Sequence, residues 1–135
     1  ESYNANPLSM TAGFRSLGAK PIQPGGRRVV VLSDMLELGD QSAAMHAGLA
    51  QPINEAGLDI VHAAGPEMRH LYDALPPARR GVWAQTAAEL AAQVADLVAA
   101  GDIVLVKGSK SSKVSAVVDA LRRTGQSTAP GERNA

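Results

Sequence analysis

Cysteine is missing from the 135-residue sequence. That excludes a disulfide framework, a thiol nucleophile and a thiolate-held metal together. Aromatic side chains are scarce: Phe14, Trp83, Tyr3 and Tyr72 are the whole supply, so a core must be built mostly from Ala, Val and Leu. Charge of one sign does not dominate either. The 13 basic and 13 acidic residues cancel, which leaves no global electrostatic case for a nucleic acid or a membrane surface as partner. No apolar run approaches the ~18 residues that a membrane span needs, and no stretch reads as a secretory signal; both fit a cytoplasmic location. Internal repeats and interior low-complexity segments are absent too. What remains is a chain 45% apolar, of a length that suits one domain with a real core.

Four short β-branched or apolar runs read as strands: 27–32 (RRVVVL), 59–64 (DIVHAA), 81–84 (GVWA) and 102–106 (DIVLV). Turn-forming residues bound them, and their continuous hydrophobicity suits strands buried on both faces. Helical patterns fill the intervals. One is expected over 8–18, after Pro7 and with Ser9 as its cap, and another over 40–57, with Gly57 as a stop signal. A third begins at Pro66 and runs to 75. A fourth spans 86–100, where Thr86 and Glu89 have capping-box spacing and Leu90, Val94, Leu97 and Val98 share a face. The last covers 112–123. Residues 124–135 (TGQSTAPGERNA) carry no apolar stripe and read as a disordered tail. Strands alternating with helices specify an α/β, Rossmann-like three-layer domain over 1–123, with a mostly parallel sheet and helices on both faces. Ligands in such a sheet sit beyond the C-terminal strand ends.

Three polar clusters stand at, or would stand at, such ends: ESYNANP (1–7), SDMLELG (33–39) and KGSKSSK (107–113). The last resembles a phosphate loop but lacks the G-x-x-x-x-G-K-[ST] pattern, and G-x-G-x-x-G is missing as well. Its lysines and serines near a helix start either attract an anion or form a solvated turn. Asp34 and Glu37 either bind an ammonium group or a metal, or do acid/base work; otherwise Asp34 caps a helix and Glu37 faces solvent. His46, His62 and His70 show no metal-ligand spacing, and a lone histidine such as His46 reads as a surface or internally satisfied group. ESYNANP is a loop leading into a helix, or a loop that hydrogen-bonds a polar ligand such as a ribose.

Together the three words resemble the C-terminal domain of the Mur ligase family. The resemblance rests on Tyr3-Asn4-Ala5-Asn6-Pro7-Leu8-Ser9-Met10, on Asp34-Met35-Leu36-Glu37-Leu38-Gly39 followed by a His-containing helix, and on Val104-Leu105-Val106-Lys107-Gly108-Ser109. They occur in the family's order and cover roughly residues 1–121. Ser33, Lys110, Glu1 and the pair Val114-Ser115 depart from the family's usual Gly, Arg, Asp and Met-Glu. Replacing Arg by Lys110 loses the guanidinium fork.

The resemblance implies a three-domain, ATP-dependent ligase of which this is the third domain, its usual first strand ending near Glu1. A central domain would hold the phosphate loop, magnesium and the catalytic groups, so neither a catalytic residue nor a metal ligand is expected here. The implied reaction adds D-alanyl-D-alanine to UDP-N-acetylmuramoyl-tripeptide through an acyl phosphate made from ATP. Glu1, Tyr3, Asn4 and Asn6 would line the nucleotide, and Asp34, Glu37, Lys107 and Ser109 the dipeptide. The other reading is a stand-alone Rossmann-like ligand-binding or interaction module without ligase activity.

Overall fold

The computed structural model describes residues 5–108 and 115–123. Four strands, β1 (Arg28–Ser33), β2 (Ile60–Ala64), β3 (Arg80–Ala84) and β4 (Ile103–Lys107), form one parallel sheet in the order β3-β2-β1-β4. Each falls within a residue of its expected place. Helix α1 (Pro7–Ala19) precedes β1. Helices α2 (Ser42–Ala47) and α3 (Ala50–Ala56) join β1 to β2, α4 (Met68–Ala74) joins β2 to β3, α5 (Ala87–Ala91) joins β3 to β4, and α6 (Ser115–Arg123) follows.

The sheet is buried on both sides because alternate residues of each strand point to opposite faces. Val30, Leu32, Val61, Ala63 and Leu105 face a core shared with Met10, Phe14 and Leu17 of α1, Ile53 of α3, and Met68 and Leu71 of α4. Val29, Val31, Ala64, Val104 and Val106 face a second core with Leu90 of α5 and Val117 and Leu121 of α6. The expected three layers are present. From β1 the chain steps outward through β2 to β3, then returns to the other side of β1 with β4. The winding therefore reverses between β1 and β4, and the crevice of an open α/β sheet lies at the C-terminal ends of such a strand pair.

Two helical expectations change. The single helix over 40–57 is two, α2 and α3, parted at Gly48-Leu49. Pro52 is the reason: it has no N–H for a continuous ladder and its ring clashes with the preceding turn. Breaking the helix four residues earlier puts Pro52 in the first turn of α3, where no internal donor is needed. The helix over 86–100 closes after Ala91 and tightens to a 3₁₀ turn at Val94–Asp96. There the segment is drawn to the strand starts: Arg27 donates to the Leu97 carbonyl at 3.1 Å and to Asp102 at 2.8 Å, and Asp102 accepts from Ala99 N at 2.9 Å. Burial pushes the Asp102 carboxyl up, but these hydrogen bonds outweigh it and hold the group below the usual carboxylate range.

Candidate functional site

Parallel register decides which polar segments meet. Leu32 pairs with Lys107 across β1 and β4, and Ser33 pairs with Ala64 across β1 and β2. The turn that begins at Asp34 and the exit at Lys107 are therefore neighbours on one rim, at the point where the winding reverses. Helix α1 reaches the same rim. Its last turn is tied to the opposite edge, where Arg28 at the start of β1 donates to the carbonyls of Leu17 (3.2 Å) and Lys20 (2.6 Å). A helix of 13 residues is ~20 Å long, and β1 at ~3.3 Å per residue is about as long. The start of α1 thus returns to the C-terminal rim. The Lys107 side chain lies along the middle of that helix, since a β-carbon on Gly13 of α1 would lie 3.2 Å from Lys107 Cδ.

Asn6 caps α1. Its Oδ1 accepts the Ser9 N–H at 2.8 Å, and Ser9 Oγ accepts the Asn6 N–H at 3.2 Å, a reciprocal capping box with Pro7 at the first helical position. Ser9, expected as the cap, is instead the returning partner, and the helix begins one residue earlier. Glu1, Tyr3, Asn4 and Ser109 lie outside the described residues, as does the segment 124–135.

Asp34 is 8% exposed. Its Oδ1 accepts the Met68 N–H at 2.8 Å and its Oδ2 accepts the Glu67 N–H at 3.3 Å. It caps a helix, but α4 rather than the helix that follows it. Burial raises its pKa above the ordinary value, against the pull of those two backbone donors. Gly65 makes the approach feasible: φ is +109°, and a β-carbon there would sit 2.3 Å from Asp34 Oδ1.

Glu37 differs in every respect. It is exposed, and with φ at 63° it is the one non-glycine residue in the left-handed region among the described residues. That conformation is costly for a side chain bearing a β-carbon. Buried neighbours enforce it. Met35 is 1% exposed and belongs to the first core, Leu38 packs against that core, and Gly39 is also left-handed. The turn holds a carboxylate out over the rim.

His46 is fully buried and satisfied. Its Nε2 accepts the Met35 N–H at 3.0 Å and its Nδ1 donates to the Ser42 carbonyl at 2.8 Å, which fixes the tautomer. It fastens the 34–38 turn to α2. Two further residues of this rim escaped the sequence reading: Ser42 Oγ donates to Glu67 Oε1 at 2.6 Å. A serine one helical turn before His46 was the only local sign. Among the described residues no group of three or more His, Asp or Glu side chains is placed to hold a metal ion.

A reversed parallel sheet with an acidic turn and a lysine at one rim defines a doubly wound α/β domain, and the family model extends that to a lineage. Residues 2–110 match the glutamate ligase domain of Mur ligases, and the chain belongs to that family. Within it, the relatives are UDP-N-acetylmuramoyl-tripeptide–D-alanyl-D-alanine ligases. That of Escherichia coli K12 is 36% identical over 93% of this chain and 26% of its own length, and that of Rickettsia prowazekii 32% identical over 87% and 25%. The MurF ligase of Thermotoga maritima, solved in complex with ADP, superposes with TM-score 0.72 at 25% identity, over 91% of this chain and 27% of that one. A MurF structure from Acinetobacter baumannii gives 0.76 at 28% identity, over 90% and 27%. The chain thus spans about a quarter of the length of the relatives it matches. Among the described residues no helix is long and apolar enough to cross a membrane.

Proposed function

We propose that this chain is the amine-presenting, ATP-covering domain of a cytoplasmic ligase that joins D-alanyl-D-alanine to UDP-N-acetylmuramoyl-tripeptide. The observation that carries the reading is the rim itself: the exposed Glu37 and the strand-end Lys107 stand at the switch point of a domain whose relatives are named for that reaction. Lys107 offers a cation to the dipeptide's carboxylate. Glu37 offers an acceptor to its amine, a role that passes to Glu37 because both oxygens of Asp34 are engaged by α4. Asn6, which caps α1, would line the nucleotide along with Glu1, Tyr3 and Asn4; Ser109 would stand beside Lys107 at the dipeptide. Magnesium is supplied by the rest of the protein.

In the reaction, ATP transfers its γ-phosphoryl group to the tripeptide's terminal carboxylate and leaves as ADP. The dipeptide amine attacks the acyl carbon, the tetrahedral adduct expels phosphate, and the amine's surplus proton is lost. Acyl phosphates hydrolyse in water, so a domain that closes over the intermediate protects it and aligns the amine. The test is phosphate release by the full-length protein with ATP, the UDP-linked tripeptide and D-alanyl-D-alanine, omitting each in turn. Release that requires all three supports the reading; release indifferent to the dipeptide defeats it. This chain alone is expected to fold without ligating, and amide shifts at 107–110 and 3–6 on adding ATP or dipeptide report whether it binds either.

A further inference from the structure

We propose that Ser42 and Glu67 are positioning residues for the incoming amine, an inference that rests on the function proposed above. The hydrogen bonds at the rim form a closed circuit. Met35 N–H donates to His46 Nε2 and His46 Nδ1–H donates to the Ser42 carbonyl. Ser42 Oγ–H donates to Glu67 Oε1 at 2.6 Å, and Glu67 N–H donates to Asp34 Oδ2. Asp34 and Met35 are consecutive, so the circuit returns to its start. It links three segments that are separate in sequence: the turn after β1, the first residue of α2 and the residue before α4. Among these contacts, the Ser42–Glu67 bond joins α2 to α4 directly at the rim, and both residues are only half-buried.

The circuit matters for chemistry because of what it encloses. Glu37 lies in the same turn, in a left-handed conformation that its own backbone disfavours. Such strain persists only where surrounding contacts over-determine it. Met35 is held by its buried side chain and by His46; Asp34 is held by α4. If Ser42 and Glu67 separate, the circuit opens: α2 and α4 stay packed together and the turn keeps both His46 and α4, but the side-chain bond that sets the two helix starts against each other at the rim is lost. The Glu37 carboxylate then samples positions away from the amine. Misplacement of a positioning group by ~1 Å is enough to weaken a substrate contact strongly. Neither residue touches substrate in this scheme; both act through Glu37.

The test uses the full-length protein. Glu67→Ala and Ser42→Ala are each expected to raise KM for D-alanyl-D-alanine by about tenfold, while KM for ATP and for the tripeptide changes by less than about twofold. The double variant is expected to match the singles, because one bond is removed in all three. Glu67→Gln keeps an oxygen for the Ser42 hydroxyl and is expected to recover most of the dipeptide affinity. A purely structural role would shift melting temperature and all three KM values together, and that result would overturn the proposal. So would an unchanged dipeptide KM in folded Ser42→Ala, a single-hydroxyl deletion that leaves the His46–Ser42 backbone bond in place. Failure of the unmodified protein to use the dipeptide at all would bring down the functional reading, and this inference with it.

Discussion

His62 should make this chain less stable in mild acid, and the size of the effect can be worked from its surroundings. The residue sits in β2, 3% exposed, where β3 is irregular: Val61 pairs with Arg80 but Ala63 pairs with Trp83, so β3 has one residue too many. The Val82 N–H, which the ladder leaves over, donates to His62 Nδ1 at 3.0 Å. The imidazole takes the place of a carbonyl, and Gly81 permits it, since a β-carbon there would lie 2.2 Å from that nitrogen. Nδ1 must therefore be the bare nitrogen and Nε2 must carry the proton, buried without a partner among the described residues. A second proton would destroy the acceptor and bury a charge. Burial first, and the Arg27 charge second, lower the pKa from 6.5 to about 4.

The sign follows from proton binding. Above pH 6.5 neither state is protonated at this site. As pH falls from 6.5 towards 4, the unfolded chain takes up a proton that the folded chain refuses, so stability falls and then levels off. At ~1.36 kcal/mol per pH unit, the whole interval is worth about 3 kcal/mol, of which about 2 is lost between pH 7.5 and 5. The raised Asp34 carboxyl acts oppositely, its contribution fading as pH rises through the acid end of the range, so the comparison must be made against a variant. Urea unfolding of this chain, followed by the single tryptophan Trp83, measures stability at each pH. His62→Gln, which retains an acceptor for Val82, should lose about 2 kcal/mol less than the parent between those two pH values. Equal losses in both proteins would refute the reasoning.

Three further outcomes are expected. Gly65→Ala should cost more than ~2 kcal/mol in urea melts, because it forces a β-carbon into a left-handed residue and against Asp34. Asn6→Ala should cost about 1 kcal/mol as a lost cap; a larger rise in KM for ATP than in any other kinetic constant would mark the same residue as a nucleotide contact. Glu37→Gly exchanges about 1 kcal/mol of relieved left-handed strain for a similar backbone-entropy penalty. Its stability should stay close to the parent's while dipeptide KM in the full-length protein rises, and an unchanged KM would remove Glu37 from the site.

The strands were legible because a doubly buried parallel strand is a continuous apolar run, and RRVVVL and DIVLV leave no alternative period. The rim was legible for the same reason, since a parallel sheet sends every strand exit to one side. What sequence could not show was partnership at a distance. Asp34 looks like the cap of the helix after it, yet it caps α4, more than thirty residues on, because β1 and β2 are adjacent and the α4 start falls beside the β1 exit. His46 has no metal spacing and so looked idle, although it is the fastening of the turn. The break near Gly48 could have been read from Pro52, whose missing N–H already forbids a continuous helix through 40–57.

These long-range partners also settle how one acidic word can serve two ends. DMLELG places two carboxylates three residues apart, but the fold turns one inward and one outward. Asp34 goes to a buried helix start, where two backbone donors hold it. Glu37 is lifted clear by a left-handed backbone between two core anchors. The inward carboxylate fixes the turn, and the outward one makes no hydrogen bond or ion pair among the described residues, which suits a group offered to a ligand. Under the proposed function, a buried Asp34 capping α4 is therefore the condition for Glu37 rather than a rival to it: substitutions at Glu37 should register in dipeptide affinity with little change in stability, whereas those at Asp34 should register in stability and, through the turn, in dipeptide affinity as well.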